Sequence, residues 1–223
     1  MEYPTRPAPS VPARALAWVS GIVGLLAGLF LLGFFALDSY GVRLAGLSLG
    51  HINDILGAVQ FAAFVPVVWT LGRQLPAART VRVATVVAVV AAVAFVVLSV
   101  LLVAGVLTFD QQIGPVIVAI IAIYCWLLVV NLVAHRTRAL PRAVSRTGVL
   151  LAVAMLTAQV LVAAGYALPG AVSQVVTWLG YGLGAVSWLA LPAYVLLLAL
   201  RVFSHSPSTA RSAAATSIQK VRS

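Results

Sequence analysis

Six long apolar runs set the strongest limit on what this chain can fold into. A helix needs roughly 20 mostly apolar residues to cross about 30 Å of hydrocarbon, because it rises about 1.5 Å per residue. The sequence predicts six such helices, at residues 15–37, 55–72, 83–109, 113–134, 148–168 and 175–200. Residues 110–112 alone separate the third run from the fourth, which predicts a tight turn. We therefore expect an all-α fold, a polytopic bundle of six transmembrane helices.

Composition leads to the same class of protein. Hydrophobic residues make up 63% of the chain, charged residues make up 8%, and the mean hydropathy is +1.12. A soluble domain of this length does not have such a composition. The fourteen Lys and Arg outnumber the four Asp and Glu, but they lie between the apolar runs. They therefore indicate topology in a lipid bilayer, and we expect no nucleic-acid partner.

The basic residues fall on alternate connections between the runs. Lys and Arg in short loops resist translocation, so basic connections stay in the cytoplasm. The segments before the first run, between the second and third, between the fourth and fifth, and after the sixth contain Arg6, Arg14, Arg73, Arg79, Arg82, Arg136, Arg138, Arg142, Arg146, Arg201, Arg211, Lys220 and Arg222. The remaining connections contain only Arg43 as a basic residue. This pattern predicts a plasma-membrane protein with both termini cytoplasmic.

The segments outside the runs predict two mobile ends. We expect residues 1–14 to form a mobile cytoplasmic N-terminus, residues 15–202 the six-helix transmembrane domain, and residues 203–223 a mobile basic cytoplasmic tail. The first run is longer than the roughly 7 to 15 apolar residues of a cleaved signal peptide. It also carries Gly24 and Gly28 at the spacing of closely packed helices, so we expect it to be retained.

The most polar cluster is His51, Asn53 and Asp54, followed by Gln60 within the second run. At about 100° per residue, Asn53, Gly57 and Gln60 share one stripe of a helix, and Gly57 leaves room for a solute or a partner helix. Asp54 would favour the charged form of His51, which makes them a candidate proton-responsive pair. The alternative is structural, with Asn53 as the cap of the second helix and Asp54 at its positive end.

Two further polar pairs lie inside apolar runs. Tyr124 and Asn131 are seven residues apart in the fourth run, and Gln159 and Tyr166 are seven apart in the fifth. Residues at this spacing lie on one side of a helix, so the pairs could face each other in a binding site. Hydrogen bonds between membrane helices contribute about 0.6 to 2 kcal/mol, so the pairs could equally serve to hold helices together.

Pro66 in the second run and Pro192 in the sixth are candidate hinges. Each removes a backbone hydrogen bond and leaves a carbonyl without its helical donor. Two kinked helices can flank a cavity that binds a polar solute, although kinked membrane helices are also common without one. Gly180 and Gly184, like the first glycine pair, suit close contact either within the bundle or across a dimer.

One short pattern, R-x-L-P-x-A, occurs twice, at residues 73–78 and 138–143. Both copies lie in turns that we expect to be cytoplasmic. They indicate either a duplicated helical hairpin, as in transporters built from repeats, or residues that suit any short turn.

The sequence lacks the motifs that usually carry catalysis. It has no HExxH, Walker loop, GxSxG elbow or dinucleotide fingerprint. Cys125 is the single cysteine, and His51, His135 and His205 are too scattered to serve as a pair of haem ligands. Ionisable residues, which mark ion paths when they lie deep in a bilayer, are missing from the middle of every run. We therefore predict no enzyme, with no catalytic residue, no cofactor and no metal ligand.

Three stretches of the sequence resemble uncharacterised multi-pass membrane proteins of actinobacteria. They are residues 50–57, the Leu140-Pro141 turn, and residues 178–184. The resemblance implies a helical membrane fold and a bacterial source. Because those proteins have no assigned activity, it supplies no site residues.

Three functions are compatible with these observations. The first is a non-catalytic membrane protein that binds a membrane-protein partner, forms a homo-oligomer or senses the envelope. The second is a small permease or channel for a neutral or lipid-like solute, with Asn53, Gln60 and the two proline hinges along its path. The third is a membrane enzyme that depends on a bound cofactor.

Overall fold

Six helices form nearly all of the structure. The computed structural model describes residues 11–37, 42–44, 46–75 and 78–203. The helices are α1 (Val11–Leu37), α2 (Leu49–Gln74), α3 (Arg79–Val103), α4 (Phe109–Thr137), α5 (Arg142–Ala167) and α6 (Gly170–Arg201). All six are long and apolar enough to cross a membrane. The predicted all-α, six-helix transmembrane fold is therefore confirmed, while the expected mobile ends fall mostly on residues 1–10 and 204–223, outside the described residues.

A short hairpin between α1 and α2 was not predicted. Its strands are β1 (Arg43–Leu44) and β2 (Leu47–Ser48), which pair antiparallel with Arg43 opposite Ser48 and Leu44 opposite Leu47. Gly46 lies in the turn with φ of 82°, a conformation that glycine adopts without steric cost.

The helix α2 begins earlier than the apolar run predicted. It starts at Leu49 because Ser48 caps it, and the Ser48 hydroxyl accepts a hydrogen bond from the backbone N–H of His51 at 3.2 Å. The alternative that Asn53 is the cap was therefore wrong. Asn53 and Asp54 lie in the second turn of α2, not before it.

The turn between α3 and α4 also differs from the prediction. The helix α3 ends at Val103, and Thr108 begins a capping box with Gln111, whose side chain accepts from the Thr108 N–H at 2.9 Å. Residues 110–112 are consequently the first turn of α4 rather than the connection. The apolar residues 104–107 belong to the connection, which hydropathy alone did not distinguish from helix.

The helices form a closed ring filled with side chains. Each helix packs against its neighbours in sequence, and α1 also packs against α6. Aromatic residues fill the enclosed space, with the ring of Phe61 4.2 Å from that of Phe95 and 5.8 Å from that of Trp188. Phe64 meets Trp126 edge to face at 5.8 Å, which brings α2 against α4 across the centre.

The two ends of the bundle have different compositions. We call the arginine end the one where α1, α3 and α5 begin and α2, α4 and α6 end, and it carries Arg14, Arg73, Arg79, Arg82, Arg136, Arg138, Arg142, Arg146 and Arg201. The aromatic end carries exposed Phe35, Phe109, Tyr166, Trp178 and Tyr181. Aromatic and basic residues at the ends of apolar helices are typical of membrane interfaces.

The repeated R-x-L-P-x-A pattern has a packing role at the arginine end. Its two leucines, Leu75 and Leu140, are both 6% exposed and belong to the core. Each leucine is buried at the arginine end, just after a helix has ended. The repeated pattern is therefore explained by two turns that each place a leucine in the core.

Candidate functional site

A set of buried hydrogen bonds joins α4 to α6, and we call it the polar clamp. It consists of Tyr124 and Asn131 on α4 with Ser187 and Tyr194 on α6. The Tyr194 hydroxyl donates to Asn131 Oδ1 at 2.8 Å, and the Tyr124 hydroxyl donates to the Ser187 carbonyl at 2.9 Å. Both tyrosines are buried in the core. Tyr124 and Asn131 are seven residues apart on α4, and Ser187 and Tyr194 are seven residues apart on α6. The two helices run in the same direction, so the two pairs lie opposite each other.

Asn131 has a partner on each side of its amide. It is 0% exposed, and its Nδ2 donates to the Leu127 carbonyl at 2.8 Å while its Oδ1 accepts from Tyr194. The amide lies in the space that a Cβ at Gly148 would need, so α5 approaches α4 closely at this level. Asn131 therefore contacts α5 and α6 from α4. In hydrocarbon, where no water competes, such bonds contribute about 0.6 to 2 kcal/mol each.

A second buried amide, Gln60, lies where α1, α2 and α6 meet. It is 5% exposed, and its Cδ lies 2.6 Å from the position that a Cβ at Gly24 would take. The ring of Pro192 approaches the same position within 2.7 Å. The Gln60 side chain makes no hydrogen bond among the described residues, and its amide is not wholly shielded from the surface. We call this junction the Gln60 contact.

Ser20 adds a second unpaired polar group on the same helix as Gly24. It is one turn before Gly24 on α1 and is 1% exposed, and its hydroxyl has no hydrogen-bond partner in the described part of the chain. Pro192 also leaves the Trp188 carbonyl without its helical N–H donor. The structure therefore brings the predicted hinge Pro192 to the predicted polar residue Gln60.

Pro66, the other predicted hinge, lies inside α2 and is half-buried. It is six residues after Gln60 along α2. It lies between the core residues Phe64 and Val67, which hold α2 in the bundle on both sides of the missing backbone bond.

At other helix contacts as well, a glycine leaves room for a polar side chain of the neighbouring helix. Gly72 on α2 faces Thr85 on α3, and Gly165 on α5 faces Thr177 on α6. Gly180 packs against the α5 backbone and Val162. The glycines of the two predicted pairs therefore make contacts between helices of the same chain. Of the two alternatives, contact within the bundle is the one observed for Gly24, Gly28 and Gly180.

The hydrogen bonds of the polar cluster at the start of α2 form two separate pairs. His51 Nδ1 lies 2.6 Å from the Ser48 hydroxyl, while Asn53 Nδ2 donates to Asp54 Oδ1 at 3.3 Å. His51 is exposed and Asn53 and Asp54 are half-buried. The predicted stripe does face the bundle, but the ring of Phe95 lies 3.6 Å from the Cβ position of Gly57 and occupies the space beside it.

The predicted pair on α5 is separated from the clamp. Gln159 makes a contact of 3.5 Å from its Nε2 to the sulfur of Met155. Tyr166 is exposed at the aromatic end, where its hydroxyl is 2.6 Å from that of Tyr181. The eight predicted polar residues thus fall into five places: the clamp, the Gln60 contact, the start of α2, the interior of α5 at Gln159 and the far end of α5 at Tyr166.

Sequence reasoning missed the α6 half of the clamp. Ser187 and Tyr194 have the same seven-residue spacing as Tyr124 and Asn131, and each bond joins residues 63 apart in the sequence. The matched spacing on two helices that run in the same direction was the available signal. The sequence marked Gly148 only as the start of the fifth apolar run, and nothing in it indicated a contact with Asn131.

The described residues offer little to a metal ion. They contain no group of three or more His, Cys, Asp or Glu side chains that could hold one. Cys125 is a free thiol on the exposed side of α4.

The fold and its contacts define a class, the multi-pass integral membrane proteins. Its six helices have the length and hydropathy of membrane spans, and their polar side chains bond within the bundle. Comparison of the chain with protein-family models, with curated proteins and with solved structures gave no match.

Proposed function

We propose that the chain is a non-catalytic membrane protein that acts by binding another protein within the bilayer. The observation that carries this proposal is the polar clamp. The interior groups best suited to hold a solute, Tyr124, Asn131 and Tyr194, instead bond α4 to α6. A bundle fixed in this way presents a constant outer surface, which suits a binding partner or a sensing role in the envelope.

The half of α6 nearest the aromatic end offers the most distinctive surface for such a partner. Val175, Leu179 and Val186 are exposed on it, and Trp178 is exposed beside them. Apart from its own turn of helix, no atom of the described residues lies within 4 Å of the position that a Cβ would take at Gly182. Small residues let a second helix approach closely, and membrane helices associate largely through such packing. The proposed occupant is a transmembrane helix of a partner protein.

The proposed location is the plasma membrane of a bacterium, with the arginine end in the cytoplasm. The basic loops support this orientation, because Lys and Arg resist translocation. Both termini would then be cytoplasmic, since α1 begins and α6 ends at the arginine end.

Site-specific photo-crosslinking in native membranes tests the partner surface. A photoreactive amino acid at Leu179 or Val186 should give one discrete adduct. The matched controls are Val90 and Val97, which are similarly exposed on α3. An adduct of twice the chain mass would make the partner a second copy. No adduct at the α6 positions, or the same adduct at the α3 positions, would contradict the proposal.

A permease for a neutral solute is the second candidate, and the Gln60 contact favours it. There an amide without a hydrogen bond lies beside Pro192, which removes one backbone hydrogen bond from the continuous helix α6. Glycerol-driven swelling of liposomes that contain the purified protein measures such a flux. If the protein is a permease, Gln60→Leu should abolish the flux and Gln159→Leu should not. Swelling no faster than that of empty liposomes would exclude glycerol passage.

A further inference from the structure

A groove between α3 and α4 opens on the outer surface of the bundle near the arginine end. It has a volume of about 400 Å³. Its α3 side is formed by Arg79, Thr80, Val83, Ala84 and Val87, and its α4 side by Ala122, Cys125, Trp126 and Val129. From Arg79 to Val87 the groove runs along α3 for about 12 Å, at about 1.5 Å per residue. It is polar at the arginine end and apolar beyond it.

The polar end of the groove is built to accept a negative charge. The first backbone N–H groups of a helix have no partner within it, and at α3 the N-cap residue Ala78 has no side chain that could cap them. Arg79 and Thr80 add a guanidinium and a hydroxyl at the same place, and both are exposed. The helix dipole favours an anion there as well.

Nothing nearby neutralises these charges in the described part of the chain. Its two carboxylates, Asp54 and Asp110, lie towards the aromatic end. Asp54 is nineteen residues before Arg73 on α2, which places it about 28 Å from the arginine end. The counter-charge for the arginine end must therefore come from another part of the chain or from another molecule.

Trp126 forms the inner wall of the groove. It lines the groove, is 1% exposed, and its ring packs edge to face against Phe64 in the centre of the bundle. Its indole N–H has no hydrogen-bond partner among the described residues and is itself buried, so a ligand in the groove contacts the ring and not this donor.

We propose that this groove binds one anionic phospholipid. Arg79, Thr80 and the first N–H groups of α3 hold its phosphate, and an acyl chain lies against Val83, Val87 and Ala122. The order along the groove, from a site for an anion to an apolar wall, matches the order of headgroup and acyl chain along such a lipid. Basic pockets between membrane helices are a known way of holding anionic lipid headgroups. This inference does not depend on the partner proposed above.

Cys125 gives a direct test, because it is the single cysteine of the chain, lines the groove and is exposed. The rate at which N-ethylmaleimide modifies Cys125 in the detergent-purified full chain reports whether the groove is occupied. Dioleoyl phosphatidylglycerol should slow the reaction at concentrations about five-fold lower than dioleoyl phosphatidylcholine. This factor corresponds to one arginine–headgroup interaction.

Two pairs of variants test separately how the charge of Arg79 and the shape of the groove contribute to lipid binding. Arg79→Gln should abolish the preference for phosphatidylglycerol, while Arg201→Gln, which removes an arginine outside the groove, should retain it. Val83→Trp should fill the groove and prevent retention of the lipid in native mass spectrometry, whereas Val90→Trp on the same helix should not.

Three results would overturn the proposal. Equal protection of Cys125 by both lipids would show that charge is not recognised. Equal losses in Arg79→Gln and Arg201→Gln would show that the arginine end attracts lipid only diffusely. Protection by inorganic phosphate alone, with lipid retained in Val83→Trp, would show an anion site without a place for the acyl chain.

Discussion

Two buried amides occupy junctions of the bundle, and their surroundings differ. Asn131 bonds to Leu127 within α4 and to Tyr194 across to α6, and it lies against Gly148 of α5. Gln60 lies in the same manner against Gly24 of α1, but its amide has no hydrogen-bond partner in the described residues. Both amides need a glycine on the neighbouring helix. Only the first is fixed in position by hydrogen bonds.

This difference separates a fixed part of the bundle from one that is free to adjust. At the polar clamp, movement of Asn131 would break two hydrogen bonds in a region without competing water. At the Gln60 contact the amide can change rotamer without losing a bond, and Pro192 has already removed a backbone bond from α6. We therefore expect the α4–α5–α6 side to determine stability and the α1–α2–α6 side to tolerate change.

The largest effect should follow from filling the space beside each amide. Gly148→Ala places a methyl group on the Asn131 amide, which cannot move without losing its bonds, so we expect a loss of about 2 to 3 kcal/mol. Gly24→Ala should cost less, about 1 to 2 kcal/mol, because Gln60 can move aside and only the ring of Pro192 then has to shift. Unfolding of the bicelle-reconstituted protein by SDS, followed by tryptophan fluorescence, measures both losses.

Gly182→Ala is the control for this pair, since no other described helix comes within 4 Å of its Cβ position and it lies inside α6. It should be neutral or slightly stabilising, as glycine is a weak helix former. Equal losses at Gly148 and Gly24 would contradict the distinction between a fixed and a free amide.

The next largest effect concerns the amides themselves. Asn131→Leu leaves the buried Tyr194 hydroxyl without its acceptor, so we expect a loss of about 1 to 2 kcal/mol. Gln60→Leu removes an amide that makes no hydrogen bond among the described residues and adds apolar surface at a site that is 5% exposed, so we expect no loss of stability or a gain of up to about 1 kcal/mol. The same SDS titration measures both. A Gln60→Leu variant less stable than Asn131→Leu would reverse the comparison.

The sequence predicted the fold because the bilayer allows few alternatives. An apolar run such as residues 175–200 can only be buried in lipid or in a large core, so the number of helices followed from counting. The boundaries were harder, because capping depends on single residues. Ser48 moved the start of α2, and Thr108 with Gln111 moved the turn before α4.

The candidate site was less predictable. Tyr124 and Asn131 were identified as one stripe, but their partners lie 63 residues away in the sequence, and periodicity within one helix does not reveal which helix faces it. From the sequence, Gln60 and Asn131 cannot be distinguished, because each is an amide within an apolar run. The structure separates them by whether a hydroxyl such as that of Tyr194 reaches the amide, which depends on the packing of three helices.

The smallest effect should come from removing single hydroxyl groups. Tyr194→Phe keeps the ring in place and removes only the donor to Asn131, so we expect a loss of about 0.6 kcal/mol, the average for hydrogen bonds between membrane helices. Ser20→Ala removes a hydroxyl that has no partner in the described residues, so stability should stay the same or rise slightly. A double-mutant cycle between Tyr194→Phe and Asn131→Leu should show coupling of similar size. If Ser20→Ala instead lowers stability as much as Tyr194→Phe, the α1 side is also held by a hydrogen bond, and the two junctions are equivalent.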